Sequence, residues 1–257
     1  MSRLLAFDTS TQTMSVALWV DGDVLTFDGE GGPAASTQLM AQIQRLLAQA
    51  QMSLQALDVI GFGRGPGAFT GLRTACAVAQ GLALGADKPV LALDSLLAVA
   101  QDACLTLGAA HQQQGQPIWV VNDARMGEVY AAQYVWQLAT ADWHQLTAPL
   151  LSRPEALAAQ WSHNPPHAVA GNALLVPELA HALVQAPCLH GVAQFPQAQV
   201  RARALAVLTD HAWRRGEAVD AALALPLYVR DQVALTTAQR QASRAGVSAP
   251  SDTVSAS

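Results

Sequence analysis

Charge is scarce in this chain. Only 13% of the 257 residues are Asp, Glu, Lys or Arg, against 51% hydrophobic residues, a balance that excludes a disordered polyelectrolyte and supplies a sizeable core. The formal net charge is -5, so the chain lacks the basic surplus with which free-standing nucleic-acid binders displace phosphate counterions. Contact with nucleic acid is therefore expected to be local or borrowed. Cysteine is rare: Cys76, Cys104 and Cys188 are odd in number, widely spaced and set in apolar or alanine-rich surroundings, which points to reduced thiols in a cytosol. The opening apolar run is stopped at Asp8, too soon for a signal-peptide core or a membrane span. The expectation is a soluble, cytoplasmic protein with room for two modest domains or one large one.

Catalytic signatures are missing too. No serine sits in a G-x-S-x-G elbow, and no cysteine has the polar, electropositive setting that lowers a thiol pKa. His163 and His167, in HNPPH, have the i, i+4 spacing of a helical metal pair, but two intervening prolines make a helix there untenable and leave loop histidines. The remaining histidines, His111, His144, His181, His190 and His211, are scattered.

What is present is alternation. Strands are expected at 3–8 and 14–20, with Asp21-Gly22 turning the chain into a third at 23–28. Leu39, Ile43, Leu46 and Leu47 then mark a helix over 34–50. A strand at 57–63, an alanine-rich helix at 69–85 stopped by Gly85, a strand at 89–93 and a helix at 96–107 capped by Asp94-Ser95 complete the first half. Beyond a polar linker at 111–116 the plan restarts, with strands at 117–123, 128–137 and 143–152, a helix begun by Pro154, a strand at 167–171, and helices near 174–185 and 199–215. Residues from 236 on have no periodicity and read as a disordered tail.

A duplicated βββαβα unit is the plan of the actin, hexokinase and Hsp70 ATPase group, in which nucleotide sits between two related halves. In that group an acidic residue ends the first strand, and glycine in the next loop admits phosphate. Asp8, Thr9 and Ser10 occupy this loop, with Ser10 where glycine is usual. They either hold phosphate or satisfy their own hairpin backbone. In NDARMGEVY, Asp123 again ends a strand, and Asp123, Arg125 and Glu128 are either cleft ligands or ordinary turn residues.

The most unusual stretch is GRGPGAFTGLR at 63–73. Glycines between a strand and a helix suggest a phosphate cradle. The stretch lacks the G-K-[ST] ending of a P-loop, and no G-x-G-x-x-G register fits it. The favoured alternative is packing: Gly67 and Gly71 permit close backbone approach, and the helix behind them carries Ala75, Ala79, Gly81, Ala83 and Gly85, so that another helix can lie against it.

GRGPGAFTGLR, with LLAFDTSTQTMSVAL, AQGLALG and NDARMGEVY, resembles the TsaB (YeaZ) family over residue 3 to the PLYVR segment at 226–230. The resemblance implies an α/β, actin-like (ASKHA, duplicated RNase H-like) fold of two lobes. These are residues 1–108 and 109–235, with the last helix a candidate to pack back on the first lobe, followed by the tail at 236–257. It also implies a non-catalytic subunit required, with TsaD and the ATPase TsaE, for N6-threonylcarbamoylation of the adenosine beside the anticodon, position 37, in tRNAs reading A-starting codons.

The expected partners are a TsaD homologue and TsaE, a second copy when the chain is alone, and tRNA only through the complex. No catalytic residue, metal or cofactor of its own is implied, with ATP or ADP entering at the level of the complex. The family pairs through its first-half helices, which selects Leu39, Ile43, Phe69, Thr70, Gly71, Arg73, Thr74, Ala75 and Val78 as the candidate interface. Arg64, Arg73, Arg125 and Glu128 match family motif positions without an assigned contact.

There are departures. Ser36 stands where family members commonly carry histidine, and no histidine precedes His111 to supply TsaD's H-x-x-x-H metal pair. The rival classes are a catalytically active small-molecule kinase or metallopeptidase of the same superfamily, and a nucleotide-binding regulator without turnover.

Overall fold

The first half builds one mixed sheet. In the computed structural model, which describes residues 2–32, 35–107, 115–184 and 189–230, strands β1 (Arg3–Asp8), β2 (Thr13–Val20) and β3 (Asp23–Glu30) form an antiparallel meander. β4 (Val59–Gly65) and β5 (Val90–Asp94) add parallel to its other side, giving the order β3-β2-β1-β4-β5. The parallel part is buried on both faces, which is why its strands are continuous apolar runs rather than alternating ones.

Helices α1 (Ala35–Gln49) and α2 (Phe69–Ala86) cover one face, where Leu39, Ile43, Ala75 and Ala79 join Leu5, Phe7, Ile60 and Phe62 in one apolar cluster. α3 (Ser95–Leu107) lies on the other face, its first turn capped by the Asp94 carboxylate, which accepts from the backbone N–H of Leu96 at 2.9 Å.

The second half repeats the plan. β6 (Ile118–Arg125), β7 (Glu128–Gln137) and β8 (Asp142–Ser152) form the meander, and β9 (Ala168–Ala170) and β10 (Ala193–Phe195) run parallel to β6, in the order β10-β9-β6-β7-β8. Helices α4 (Pro154–His163) and α5 (Pro177–Val184) cover its outer face through Leu157, Trp161 and Leu183. The last helix, α6 (Ala202–Arg214), returns to the first sheet: Leu205, Leu208 and Ala212 share a cluster with Leu4, Ala6 and Leu93. α3 and α6 thus fill a layer between the two sheets, and the chain has the duplicated RNase H-like, actin-like fold.

Three details differ from the sequence reading. α2 does not stop at Gly85 but runs to Ala86, because the left-handed residue that ends it is Asp87, at φ 56°, whose N–H reaches the carbonyl of Ala83. The helix expected near 174–185 divides into a 3-10 turn at Asn172–Leu175 and α5. β10 was not anticipated, since three residues, two of them exposed, carry no periodicity. The Ser36 side chain, His111, Cys188 and the tail from 236 lie outside the described residues. Among the described residues no helix is long and apolar enough to cross a membrane.

Candidate functional site

Asp8 ends β1 fully buried. One carboxylate oxygen accepts from the Ser10 backbone N–H at 2.6 Å and the Ser10 hydroxyl at 2.7 Å; the other accepts from the Ser95 hydroxyl at 2.7 Å. Burial pushes the Asp8 carboxyl above its ordinary range, and these donors oppose the shift. Both oxygens are thereby spent inside the protein. Of the two sequence readings of Asp8, Thr9 and Ser10, the geometry favours the one in which the loop satisfies itself, and only Ser10 of the three reaches the cleft wall.

The glycines of residues 63–73 serve this same loop. A Cβ at Gly63 would stand 1.7 Å from an Asp8 oxygen, one at Gly67 2.7 Å from the Ser10 Cβ, and one at Gly71 2.0 Å from the Thr9 carbonyl oxygen. The Ala68 N–H donates to the Ser10 carbonyl at 2.7 Å, and the Thr9 hydroxyl donates to the Gly71 carbonyl, also at 2.7 Å. The stretch is a corner pressed onto the β1–β2 loop of its own lobe. These glycines pack against an internal surface, not against a partner.

This corrects part of the candidate interface. Leu39, Ile43 and Ala75 are at most 1% exposed, and Gly71 faces Thr9, so their side-chain positions belong to the core and are closed to a partner. Phe69, Thr74 and Val78 are half-buried, while Thr70 and Arg73 are exposed. The outward face of α2 is formed instead by Thr70, Arg73, Ala77, Gly81 and Leu84, the last 71% exposed. Beside it α1 presents Met40, Ala41 and Gln44. Arg45 and Arg73 are the only charged residues of the two helices.

In the second half the equivalent strand end is open. Asp123 ends the regular pairing of β6, and its carboxylate accepts from the Arg125 N–H at 2.7 Å, the same i to i+2 contact that Asp8 makes with Ser10. Arg125, Met126 and Gly127 all have positive φ, so the hairpin turns tightly, and the Arg125 guanidinium returns to Asp123 at 3.1 Å. Asn172, just past β9, accepts from the Asp123 N–H at 2.8 Å. Glu128 does not face the cleft wall; it pairs with Arg230 at 2.7 Å.

Together these groups border a cleft of about 400 Å³ between the lobes. Ser10, Thr11 and Gln12 line one side, Asn122, Asp123, Arg125 and Asn172 the other, and Phe69, Tyr228 and Arg230 close the rim. The side-chain oxygens of Asn122 and Asn172 accept backbone N–H groups, which leaves their amide nitrogens as donors at the wall. The cleft therefore suits a ligand with acceptor groups and an apolar part. Asn122, Asn172, Ser95, Tyr228 and Arg230 were missed from sequence, because no local pattern marks them and only the fold brings them together.

Arg64 lies deeper. Its charge acts on Asp94 and on Tyr134 of β7, whose hydroxyl donates to Asp94 at 2.6 Å and so joins the two lobes. Burial pushes the Asp94 carboxyl up, and burial with the neighbouring Asp94 pushes the Tyr134 hydroxyl up as well. Among the described residues, no three His, Cys, Asp or Glu side chains gather in a way that would hold a metal ion. His163 ends α4 and His167 lies beyond it, both exposed.

Residues 33–236 match the family model described as TsaD: tRNA N6-adenosine threonylcarbamoyltransferase. The chain is 39% identical over 154 residues to the tRNA threonylcarbamoyladenosine biosynthesis protein TsaB of Escherichia coli, covering 60% of this chain and 63% of that one. It is 35% identical to the protein of the same name from Haemophilus influenzae, covering 59% and 64%. In both cases the match spans less than two thirds of the relative's length. Among solved structures, YeaZ from Pseudomonas aeruginosa superimposes with a TM-score of 0.74 at 36% identity, over 89% of this chain and all of that one.

Proposed function

Because the chain belongs to the TsaB/YeaZ group of the TsaD family, we propose that it is an accessory subunit in N6-threonylcarbamoylation of the adenosine at position 37 of tRNA, and not the transferase itself. The observation that carries the non-catalytic part is the sealed strand end of the first lobe, where both Asp8 oxygens are consumed by Ser10 and Ser95. A kinase of this superfamily needs that carboxylate at the nucleotide, and here it supports a loop.

The subunit acts by holding a TsaD homologue in its productive conformation, a shift of population rather than bond chemistry. TsaE joins them, tRNA is met through the complex, ATP or ADP enters at that level, and the setting is the cytoplasm. The docking face is the outward side of α1 and α2, apolar and nearly free of charge, which a second copy covers when the chain is alone. Gly81 is the place to test it, because a Cβ there meets nothing within 4 Å. Gly81→Trp should preserve the fold and abolish co-purification with the TsaD homologue and modification of unmodified tRNA by the reconstituted proteins. Undiminished pairing would place the interface elsewhere. Turnover of ATP or a peptide by the purified chain alone, lost in Asp8→Ala, would reverse the non-catalytic assignment.

The donor-lined wall of the cleft favours one second reading, a nucleotide bound there without turnover. Calorimetry with ADP, on the chain alone and with the TsaD homologue, separates it from the first.

A further inference from the structure

After the 3-10 turn at Ala221–Leu223 the chain has no regular secondary structure up to Arg230, yet it is fastened along its length. The Ala224 carbonyl accepts from the Gln80 side chain of α2 at 3.1 Å. Leu227 donates its N–H to the Arg64 carbonyl at 2.7 Å, and its own carbonyl lies so close to Gly65 that a Cβ there would stand 2.9 Å away. The Tyr228 ring meets Phe69 at 5.1 Å between centroids, and its hydroxyl accepts from the Arg73 Nε at 3.2 Å while the Arg73 guanidinium covers Phe69 at 3.8 Å. All of these anchors belong to the first lobe.

The next anchor belongs to the second. Arg230, with 16% of its side chain exposed, pairs with Glu128 at 2.7 Å and donates to the Ala124 carbonyl at 3.1 Å, gripping both sides of the β6–β7 hairpin. Leu227 to Arg230 all border the cleft. We infer that Leu227–Arg230 is a clamp between the lobes that sets the opening of the cleft, with Arg230 as its release point and Tyr228 as its link to the first turn of α2.

The physical basis is a difference in anchorage. The first-lobe end is held by backbone pairing and an aromatic stack. The second-lobe end depends on one guanidinium, whose charge-assisted pair with Glu128 is stronger than a neutral hydrogen bond and is joined by the Ala124 carbonyl and by longer contacts to the Arg125 carbonyl and the Met126 sulfur. Losing Arg230 therefore loosens the rim of the cleft without unfolding either lobe, while the α3–α6 layer and the Tyr134–Asp94 bond still hold the lobes together at its base. Through Tyr228 and Phe69 the same segment touches the first turn of α2, so a change at that face and a change in cleft opening bias one shared element. This inference stands on the geometry of the free chain and does not require the proposed function.

The test uses the full chain and two readouts. Hydrogen exchange at the Leu227 amide reports the clamp, and spin labels at Thr26→Cys and Gln160→Cys, exposed positions on the edge strand β3 and the outer helix α4, report lobe separation in a Cys188→Ser background. Arg230→Ala and Glu128→Gln should each speed Leu227 exchange by roughly 10-fold, the loss expected for a charge-assisted contact, and should lengthen and broaden the inter-label distance. Arg230→Lys, which keeps the charge and loses the two-sided grip, should fall between and serves if Arg230→Ala does not fold. Unchanged distance in these variants would overturn the inference. So would faster exchange spread evenly over both sheets, because a clamp acts between lobes that stay folded.

Discussion

Two glycines of the same helix should respond to alanine in opposite directions. At Gly71 the new Cβ would lie 2.0 Å from the Thr9 carbonyl oxygen, 2.8 Å from its carbon and 3.0 Å from the Ser10 Cα. Ordinary carbon contacts are near ~3.5 Å, and all three neighbours are backbone atoms of a buried loop, so helix and loop must part by more than about 1 Å. Overpacking of this kind costs about 1–3 kcal/mol. Weakening the bond from the Thr9 hydroxyl to the Gly71 carbonyl adds about 1 kcal/mol, while alanine's better helix propensity returns about 1 kcal/mol.

Gly71→Ala should therefore be destabilised by about 1–3 kcal/mol. Gly81→Ala meets no neighbour and should gain about 0.5–1 kcal/mol from propensity and a less flexible unfolded chain. Urea unfolding of both variants beside the parent decides the matter. If both move stability in the same direction, the account of the glycine-rich corner as packing onto the β1–β2 loop is wrong.

The remaining predictions concern buried polar groups. Asp8→Ala strands the donors of Ser10 and Ser95 and should cost about 2–4 kcal/mol, measured by the same unfolding curves. Tyr134→Phe removes the donor from Asp94 across the lobe boundary and should cost about 1–3 kcal/mol; an unchanged midpoint would mean that water replaces the hydroxyl. His211 has its pKa lowered, chiefly by burial and against the pull of Asp142. The unfolded chain then binds the proton more tightly, so this group's contribution is intact above its ordinary pKa near 6.5 and is lost as pH falls through the folded value. His211→Asn should flatten that part of a stability profile, whereas a slope unchanged by the substitution would assign it elsewhere. The raised carboxyls of Asp8, Asp94 and Asp102 have the opposite sign: each lowers stability as pH rises from the ordinary carboxylate range toward its folded value.

Legibility in the sequence followed how local the determining physics was. The meanders could be read because their signals lie within one segment: the apolar run of RLLAFD, the Asp21-Gly22 turn and the spacing of Leu39, Ile43 and Leu46. The duplication followed from their order. The orientation of α2 could not be read, because alanine and glycine occur on both of its sides and size alone does not say which side meets the sheet. Ala75, Ala79 and Ala83 went inward, Ala77, Gly81 and Gly85 outward, and the rows differ little in composition. The clamp was hidden for a different reason. Arg230 and Glu128 are 102 residues apart, and nothing local to PLYVR announces a salt bridge to the other lobe.

The two halves also show how a repeated framework can keep its geometry and lose equivalence of chemistry. Asp8 and Asp123 close corresponding strands and make the same contact with the amide two residues on. Their surroundings then diverge. Ser95, at the start of α3, donates to the second oxygen of Asp8, and Gly63 lets β4 lie directly over the carboxylate, so that a single Cβ would collide with it. Asp123 has Arg125 as the partner of its second oxygen, a side chain 68% exposed and able to leave. An ion pair this exposed is worth little, about 0–1 kcal/mol, so a ligand displacing it loses almost nothing. Replacing Ser95 or Gly63 would damage the fold before it opened a site. Exchanging Arg125 changes only the cleft, so a ligand-binding experiment on this chain starts at the second-lobe wall.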